Sequence, residues 1–282
     1  MRLPDGRSLE LGARTLVMGI VNVTPDSFAD GGVRSDPDRA IADALQMAAD
    51  GADILDIGGE STRPGAEPLP LDEEWQRVGP VLEGLRGRVT VPVSIDTYKA
   101  EVARRALDLG AAIVNDVSAL AYDPDLGGVA ARYGAGLILM HHRGRSDDMY
   151  ARAQYGDVAA EVAAELAGRA QVACAAGVAA DRLVLDPGLG FAKRAEHSLQ
   201  ALVGLPVLAA LGYPILVGPS RKSFLTAALG PVPASERIWG TAAAVAASVW
   251  FGAHIIRVHD VREMAQVVRV ADAIRAAAVP ST

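Results

Sequence analysis

A single (β/α)8 barrel, preceded by a short β-hairpin, is the fold that this 282-residue sequence predicts. Two observations predict it. Short apolar strands alternate with helical patterns eight times, as parallel strands joined by right-handed crossovers would. Each strand also stays apolar until its C-terminal end and then turns polar, and in a closed barrel those ends meet in one ring. A doubly wound open sheet would gather its polar groups at the switch point, on fewer strands. Here first, middle and last strands all contribute, so residues 1–282 read as one domain.

The hairpin comes first. Arg2-Leu3-Pro4-Asp5-Gly6-Arg7-Ser8-Leu9 sets an Asp-Gly turn between alternating residues, a unit suited to plugging the barrel floor. The strands follow in order. Val17 to Val21 runs into Asn22, and Ile54 to Gly58 into Glu60, Ser61, Thr62 and Arg63. Val93 to Ile95 ends at Asp96, and Ile113-Val114 at Asn115 and Asp116. Leu137 to Met140 ends at His141 and His142, and Leu183 to Leu185 at Asp186. Ile215 to Gly218 runs into Ser220, Arg221 and Lys222, and Ile255-Ile256 into Arg257-Val258-His259.

Between the strands, helices are expected over Pro37–Asp50, Leu71–Leu85, Tyr98–Leu109, Pro124–Tyr133, Asp157–Ala175 and Ala195–Val203. Further helices are expected over Ser223–Leu229 with Thr241–Trp250, and over Val261–Ala277. Four strands are announced by Gly-Ala: Gly51-Ala52, Gly110-Ala111, Gly134-Ala135 and Gly252-Ala253. A glycine just past a helix end is the stop signal this arrangement needs. The longest irregular stretches, Thr24–Ser35 and Arg63–Pro70, follow the first two strands, where lids over a rigid rim are built.

Bulk composition narrows the function. Half the residues are hydrophobic and 22% charged, which is ordinary globular usage. The one cysteine, Cys174, excludes an internal disulfide and reads as a small buried hydrophobe. The N-terminus has no apolar core of a signal peptide, and no run reaches a membrane span. A cytoplasmic location with no membrane partner is therefore expected. The net charge of −7 argues against nucleic acid as a partner. Against that acidic background, Arg63, Arg221, Lys222 and Arg257 at strand ends suit a small anionic ligand.

Five blocks carry the chemistry. The first is Asn22-Val23-Thr24-Pro25-Asp26-Ser27-Phe28-Ala29-Asp30-Gly31-Gly32, whose Asn22, Asp26 and Asp30 offer oxygens to a hard cation such as Mg²⁺. Asn and Asp also populate plain turns, so this block alone decides nothing. The others are Asp56-Ile57-Gly58-Gly59-Glu60-Ser61-Thr62-Arg63-Pro64-Gly65, Asp186-Pro187-Gly188-Leu189-Gly190-Phe191-Ala192-Lys193, Gly218-Pro219-Ser220-Arg221-Lys222-Ser223-Phe224 and Arg257-Val258-His259-Asp260-Val261.

Standing in this order and near these spacings, the blocks resemble the dihydropteroate synthase family of pterin-binding enzymes, over nearly the whole chain. The resemblance implies a transferase that joins 6-hydroxymethyl-7,8-dihydropterin diphosphate to para-aminobenzoate and releases diphosphate. It implies pterin recognition by Asp96, Asn115, Asp186 and Lys222, with Met140 and Gly218 against the ring. A carboxylate such as Asp186 can accept the pterin's two parallel donors at once, and Asn115 can both donate and accept. Around the aminobenzoate it implies Thr62, Arg63, Pro64, Phe28, Phe191, Lys222 and Ser223, the last helped by a helix N-terminus starting there. Asn22, Arg63, Arg257 and His259 are implied at the diphosphate, with Asn22 at a Mg²⁺ ion and Asp26 and Asp30 in the first loop. Lys222, Arg257, His259 and Asp96 are the residues expected to carry the reaction. With leaving-group stabilisers present and no strong base aimed at the amine, an SN1-like course is expected. The family also implies a homodimer, with Thr241–Trp250 and its neighbours as candidate surfaces.

Helix capping is the plain alternative for any one buried Asp or Asn, and a poor one for three on separate strands. His141 and His142 are neighbours on a strand and face opposite ways, so they make a poor joint metal site. Their loop departs most from the family's pattern. Two other functions compete. A methyltetrahydrofolate–corrinoid methyltransferase would share the pterin-reading carboxylates but has no diphosphate to hold. A non-catalytic pterin-binding paralogue would bind without turnover.

Overall fold

A computed structural model describes residues 1–23, 36–61 and 65–278. Its strands are β1 (Leu16–Asn22), β2 (Ile54–Gly58), β3 (Val93–Asp96), β4 (Ile113–Asp116), β5 (Gly136–Met140), β6 (Leu183–Asp186), β7 (Leu216–Val217) and β8 (Ile255–Val258). They pair in parallel in the order β6-β5-β4-β3-β2-β1-β8-β7. The ring closes between β6 and β7 through a parallel bridge from Leu185 to Ile215, and the Leu185 N–H reaches the Pro214 carbonyl at 2.9 Å. The barrel, not the open sheet, is the architecture.

The surrounding helices are α1 (Asp36–Ala49), α2 (Leu71–Leu85), α3 (Ala100–Asp108), α4 (Asp125–Tyr133), α5 (Val158–Ala175), α6 (Ala195–Val203), α7 (Leu205–Ala209), α8 (Thr226–Leu229), α9 (Ile238–Trp250) and α10 (Val261–Ala277). The Gly-Ala signals work as their chemistry requires. Gly51, Gly110, Gly134 and Gly252 all have φ between 62° and 105°, and the alanine after each is buried at the foot of the next strand. Asp157 caps α5 by accepting the Ala160 N–H at 3.1 Å.

One helix is additional and two expectations need correction. The five-residue α7 was not anticipated, because it is too short to show a helical period and opens with Pro206 near its start. The helix expected from Ser223 is a 3-10 turn, Ser223–Leu225, followed by the four-residue α8, which Gly230 and Pro231 end. Cys174 is exposed on the outer face of α5 rather than buried. No helix among the described residues is long and apolar enough to cross a membrane.

Period-2 alternation divides the strand residues between two cores. Residues such as Val17, Leu55, Ile57, Ile95, Val114, Leu137, Leu139, Leu185 and Ile256 face outward and pack beneath the helices. Met18, Ile54, Ile113, Ile138, Val184, Leu216 and Ile255 face inward and fill the lower barrel. The hairpin closes that end. Arg2 and Ser8 bridge in antiparallel fashion, and Leu3 is buried among the inward residues with Met1, Leu9 and Leu11 packed alongside. The floor is therefore dry, which leaves the site to the opposite end.

Candidate active site

Two positions beyond each inward residue of the lower layer lies a second inward layer. Met18 is followed by Ile20, Ile54 by Asp56, Ser94 by Asp96, Ile113 by Asn115, Ile138 by Met140, Val184 by Asp186, Leu216 by Gly218 and Ile255 by Arg257. The ladder register sets Asp96 beside Asn115, and Met140 beside Asp186. Seven of these eight upper residues line one pocket, joined by Val117, Phe191, Ser220, Lys222 and His259. The pocket holds about 470 Å³, part of it open to solvent.

Arg257 organises one side. Its Nε donates to Asp56 Oδ2 at 2.6 Å, and its Nη2 to Asp96 Oδ2 at 2.6 Å. Asn115 Nδ2 donates to the same Asp56 oxygen at 2.9 Å. One cation thus stands between a buried carboxylate and a half-buried one, and like charges so placed do not ionise equally. Burial pushes the Asp96 carboxyl up to about 7, against the pull of Arg257 and with Asp56 adding to the rise. Asp56 Oδ1 is buried and has no hydrogen-bond partner among the described residues.

Asp186 faces this group across the pocket. Its Oδ1 accepts the Gly188 N–H at 2.7 Å. Gly188 is required here, because its φ is +66° and a Cβ would lie 2.1 Å from the His141 carbonyl oxygen. Burial raises the Asp186 carboxyl, and the charges of Lys222, Arg257 and Lys193 oppose the rise. Lys222 reaches in from the β7 side, donates to the Leu189 carbonyl and lies 4.2 Å from the centre of the Phe191 ring. Burial pulls its ammonium down to about 8, with Asp186 resisting.

His259 closes the circle. Its Nδ1 lies 2.9 Å from Ser220 Oγ, which also accepts the His259 N–H at 3.2 Å. Its Nε2 lies 3.5 Å from Asn22 Nδ2 at the end of β1.

The structure gathers Asp96, Asn115, Met140, Asp186, Phe191, Gly218, Lys222, Arg257 and His259 into one pocket, with Asn22 at its edge. Ser223 is exposed and does not line it, because the chain turns outward into the 3-10 turn after Lys222. Asp26, Phe28, Asp30, Thr62, Arg63 and Pro64 lie outside the described residues. The two histidines lie just past the end of β5 rather than on it, and they still face different partners. His141 Nε2 meets Glu165 at 3.1 Å, whereas His142 stands against Tyr122 and Phe191. Asp116 holds the loop after β4 by accepting the N–H groups of Ser118 and Leu120, outside the pocket.

Three participants were not assigned roles from sequence. Asp56 shares the in-facing register of Ile54, and a carboxylate in the middle of an apolar strand demands a buried partner. Ser220 orients His259, and only the three-dimensional arrangement joins them. Lys193 is 1% exposed and hydrogen-bonded to the loop after Asp186. A fully buried lysine is rare enough to mark a role, but its burial is not visible in the sequence.

A barrel whose upper layer offers a buried carboxylate, an amide and a lysine to one planar polar ring, with an Arg and a His beside them, is the frame of an enzyme acting on a small heteroaromatic anion. The family model for pterin binding enzymes matches residues 18–259, and the chain belongs to that family. Among curated proteins it is similar to dihydropteroate synthase of Synechocystis, at 48% identity over 96% of this chain and 94% of that protein. It is 43% identical to dihydropteroate synthase of Bacillus subtilis, over 95% of this chain and 91% of that one. Among solved structures, Xanthomonas albilineans dihydropteroate synthase with 4-aminobenzoic acid superposes with a TM-score of 0.91 at 44% identity, covering 99% of both chains. The same organism's enzyme in complex with 7,8-dihydropteroate gives a TM-score of 0.89 at 40% identity, covering 99% of this chain and all of that one.

Proposed function

We infer that the chain is a dihydropteroate synthase. It joins 6-hydroxymethyl-7,8-dihydropterin diphosphate to para-aminobenzoate, giving 7,8-dihydropteroate and diphosphate. The observation that carries this reading is the arrangement of the upper layer. Asp186 and Asn115 stand on one pocket with Arg257 and His259, and Lys222 and Phe191 adjoin both. Relatives of that name at 43–48% identity over nearly the whole chain support it.

In this reading the Asp186 carboxylate accepts the pterin's ring N–H and exocyclic amine, a bidentate and directional pair. Asn115, with both donor and acceptor, meets the opposite edge, and Met140 packs on the ring face. Lys222 donates to the pterin and, lying over Phe191, borders the space for the aminobenzoate. The bond that breaks joins the pterin methylene carbon to the diphosphate oxygen, which leaves with the electron pair. Arg257, through the guanidinium edge not taken by Asp56 and Asp96, and His259, held by Ser220, neutralise that charge. The aniline nitrogen then forms the C–N bond and its proton passes to solvent. Loss of diphosphate precedes attack, because the electron-rich pterin stabilises the methylene cation. Positional oxygen exchange in the pterin diphosphate without aminobenzoate is the expected signature, and its complete absence would favour a concerted course.

Mg²⁺ would be held here with the help of the substrate's diphosphate. The described residues contain no group of three or more His, Cys, Asp or Glu side chains able to hold a metal. Asn22 would supply one oxygen, and a Mg²⁺ site of this kind would be completed by substrate phosphates and water. When bound, the ion offsets diphosphate charge. A homodimer is proposed through the adjoining helices α6, α7, α8 and α9, which expose Val203, Val207, Leu229, Trp239 and Trp250. Apolar side chains gathered on adjacent helices mark an interaction surface.

The test is diphosphate release by the purified protein with pterin diphosphate and Mg²⁺, with and without aminobenzoate, beside Lys222→Ala. Dihydropteroate formation that needs aminobenzoate and falls by about a hundredfold or more in the variant is expected. Pterin binding without any condensation would make the chain a binding paralogue instead.

A further inference from the structure

Lys193 is the buried ionisable group that the reaction as described leaves unused. It sits on the loop from Asp186 to Arg194, directly behind the pocket. Its ammonium has three protons and three acceptors: His141 Nδ1 at 2.7 Å, the Phe191 carbonyl at 3.2 Å and the Gly188 carbonyl at 3.3 Å. Left-handed residues at Gly188, Gly190 and Ala192 curl this loop around the ammonium. Ala192 adopts that conformation at φ 47° although it is not glycine, a strained backbone for a residue with a Cβ. The Tyr155 hydroxyl secures the Ala192 carbonyl at 2.9 Å, and Ser198 Oγ accepts the Gly190 N–H at 3.1 Å.

The other end of the chain of contacts explains why the ammonium points where it does. Glu165 is a carboxylate held down at about 2, first by its hydrogen bond from His141, and it can only accept. The Nε2 of His141 therefore carries the proton, at 3.1 Å from Glu165 Oε2. Burial keeps the imidazole neutral, down at about 4, so Nδ1 presents a lone pair to Lys193. A neutral amine has only two protons for these three acceptors, so one of them would face its lone pair. The pair Glu165–His141 is thus wired for a charged lysine, although burial pulls Lys193 down to about 7. The charged and titratable groups around it include Asp186, Lys222, Arg143, Glu165, His141, His142 and Tyr155.

We propose that Lys193 is a positioning residue for this reaction: aimed by Glu165 and His141, it clamps the Gly188 and Phe191 carbonyls and so fixes Asp186 for the pterin and Phe191 for the arylamine. The inference rests on the function assigned above. Lys222 holds the Leu189 carbonyl from the pocket side. The carbonyls of residues 188, 189 and 191 are therefore gripped by two lysines, only one of which touches substrate. Lys193 also places a positive charge behind Asp186, where it favours the ionised carboxylate that the pterin needs.

The experiment compares wild type, Lys193→Met, Glu165→Gln and Glu165→Leu in the full chain. Four quantities are read: KM for aminobenzoate, Kd for a non-reactive pterin, amide exchange over residues 187–193, and Tm. In Lys193→Met, KM and Kd rise by about tenfold or more, exchange in the loop quickens, and Tm falls because His141 Nδ1 and the Gly188 and Phe191 carbonyls lose their donor. Glu165→Gln still accepts from His141 and behaves as wild type, whereas Glu165→Leu shifts KM and exchange in the same direction by less. A purely structural lysine lowers Tm in the same way but leaves KM and Kd unchanged, and that result overturns the proposal. If Lys193→Met does not fold, Glu165→Leu with wild-type KM and exchange overturns it equally. A wild type that binds pterin but makes no dihydropteroate defeats the functional reading alone, since Kd and loop exchange still decide the clamp.

Discussion

On β6, Val184 and Asp186 point into the same barrel two residues apart, and on β8 Ile255 and Arg257 do so too. The lower residue of each pair is fully buried against neighbours from other strands and the hairpin. The upper residue is ionisable and borders a pocket. One register therefore builds two environments, a dry floor that stabilises the barrel and a polar ceiling that costs stability and supplies chemistry. The ceiling is kept tolerable by sharing, since Arg257 serves two carboxylates and Asp56 also accepts from Asn115.

The comparison is broken most forcefully by substituting one residue in each layer on neighbouring strands. Ile138→Ala leaves a cavity in the floor and is expected to lower the unfolding free energy by about 2–5 kcal/mol. KM values for the folded enzyme stay unchanged, because Ile138 does not line the pocket. Asp186→Asn keeps the shape and can still accept the Gly188 N–H, so stability holds or increases. Pterin affinity falls by about 1.5–3 kcal/mol, the worth of hydrogen bonds to a charged group. Urea unfolding paired with pterin titration reads both. An Ile138→Ala enzyme with altered KM, or an Asp186→Asn enzyme that loses stability and keeps its affinity, would erase the distinction between layers.

The strand ends were legible in the sequence because period-2 patterning sends every second residue inward, and a polar residue closing an apolar run has few other reasons to be there. Asp96, Asn115, Asp186 and Arg257 were found that way. Asp56 was quoted in a motif but given no role, because it lies between Leu55 and Ile57 rather than at a strand end. The in-facing register of Ile54 would have revealed it. Ser220 and Lys193 could not be assigned without contacts from distant segments, namely His259 in the one case and His141 in the other. The same limit applies to Ser223. Its residue type suits a carboxylate, but nothing in Lys222-Ser223-Phe224 reveals that the chain turns outward there.

A smaller effect sharpens the ceiling alone. The Asp96 carboxyl, near 7 when folded, keeps a proton that the unfolded chain has released above about pH 4. Folded chains thus bind more protons than unfolded ones between about pH 4 and 7, and stability falls as pH rises through that window. Asp96→Asn removes this contribution and flattens the slope by up to about 1.4 kcal/mol per pH unit. Unfolding measured at several pH values for both proteins tests it. Parallel curves would mean that Arg257 keeps Asp96 ionised throughout.

Ser94 is where the two layers meet on unfavourable terms, and it carries the smallest expected effect. It occupies the floor position of β3, two residues below Asp96, and is fully buried. Its ladder neighbours are Asp56 of the ceiling on one side and Ile113 of the floor on the other. Its hydroxyl has no hydrogen-bond partner among the described residues, so burial has removed water and returned nothing. Ser94→Ala deletes that oxygen without opening a cavity the size of a methyl group. The change is expected to raise stability by about 1 kcal/mol, since removing an unsatisfied buried polar group recovers its desolvation cost. Activity should stay as it was, because Ser94 does not border the pocket. A loss of stability in Ser94→Ala would mean that the hydroxyl is satisfied after all, by a water beneath Asp56 Oδ1, the other buried oxygen without a partner in this part of the barrel. In that case floor and ceiling would be joined by a buried water at β3, and the dry layer would begin one residue pair lower than the side chains alone suggest.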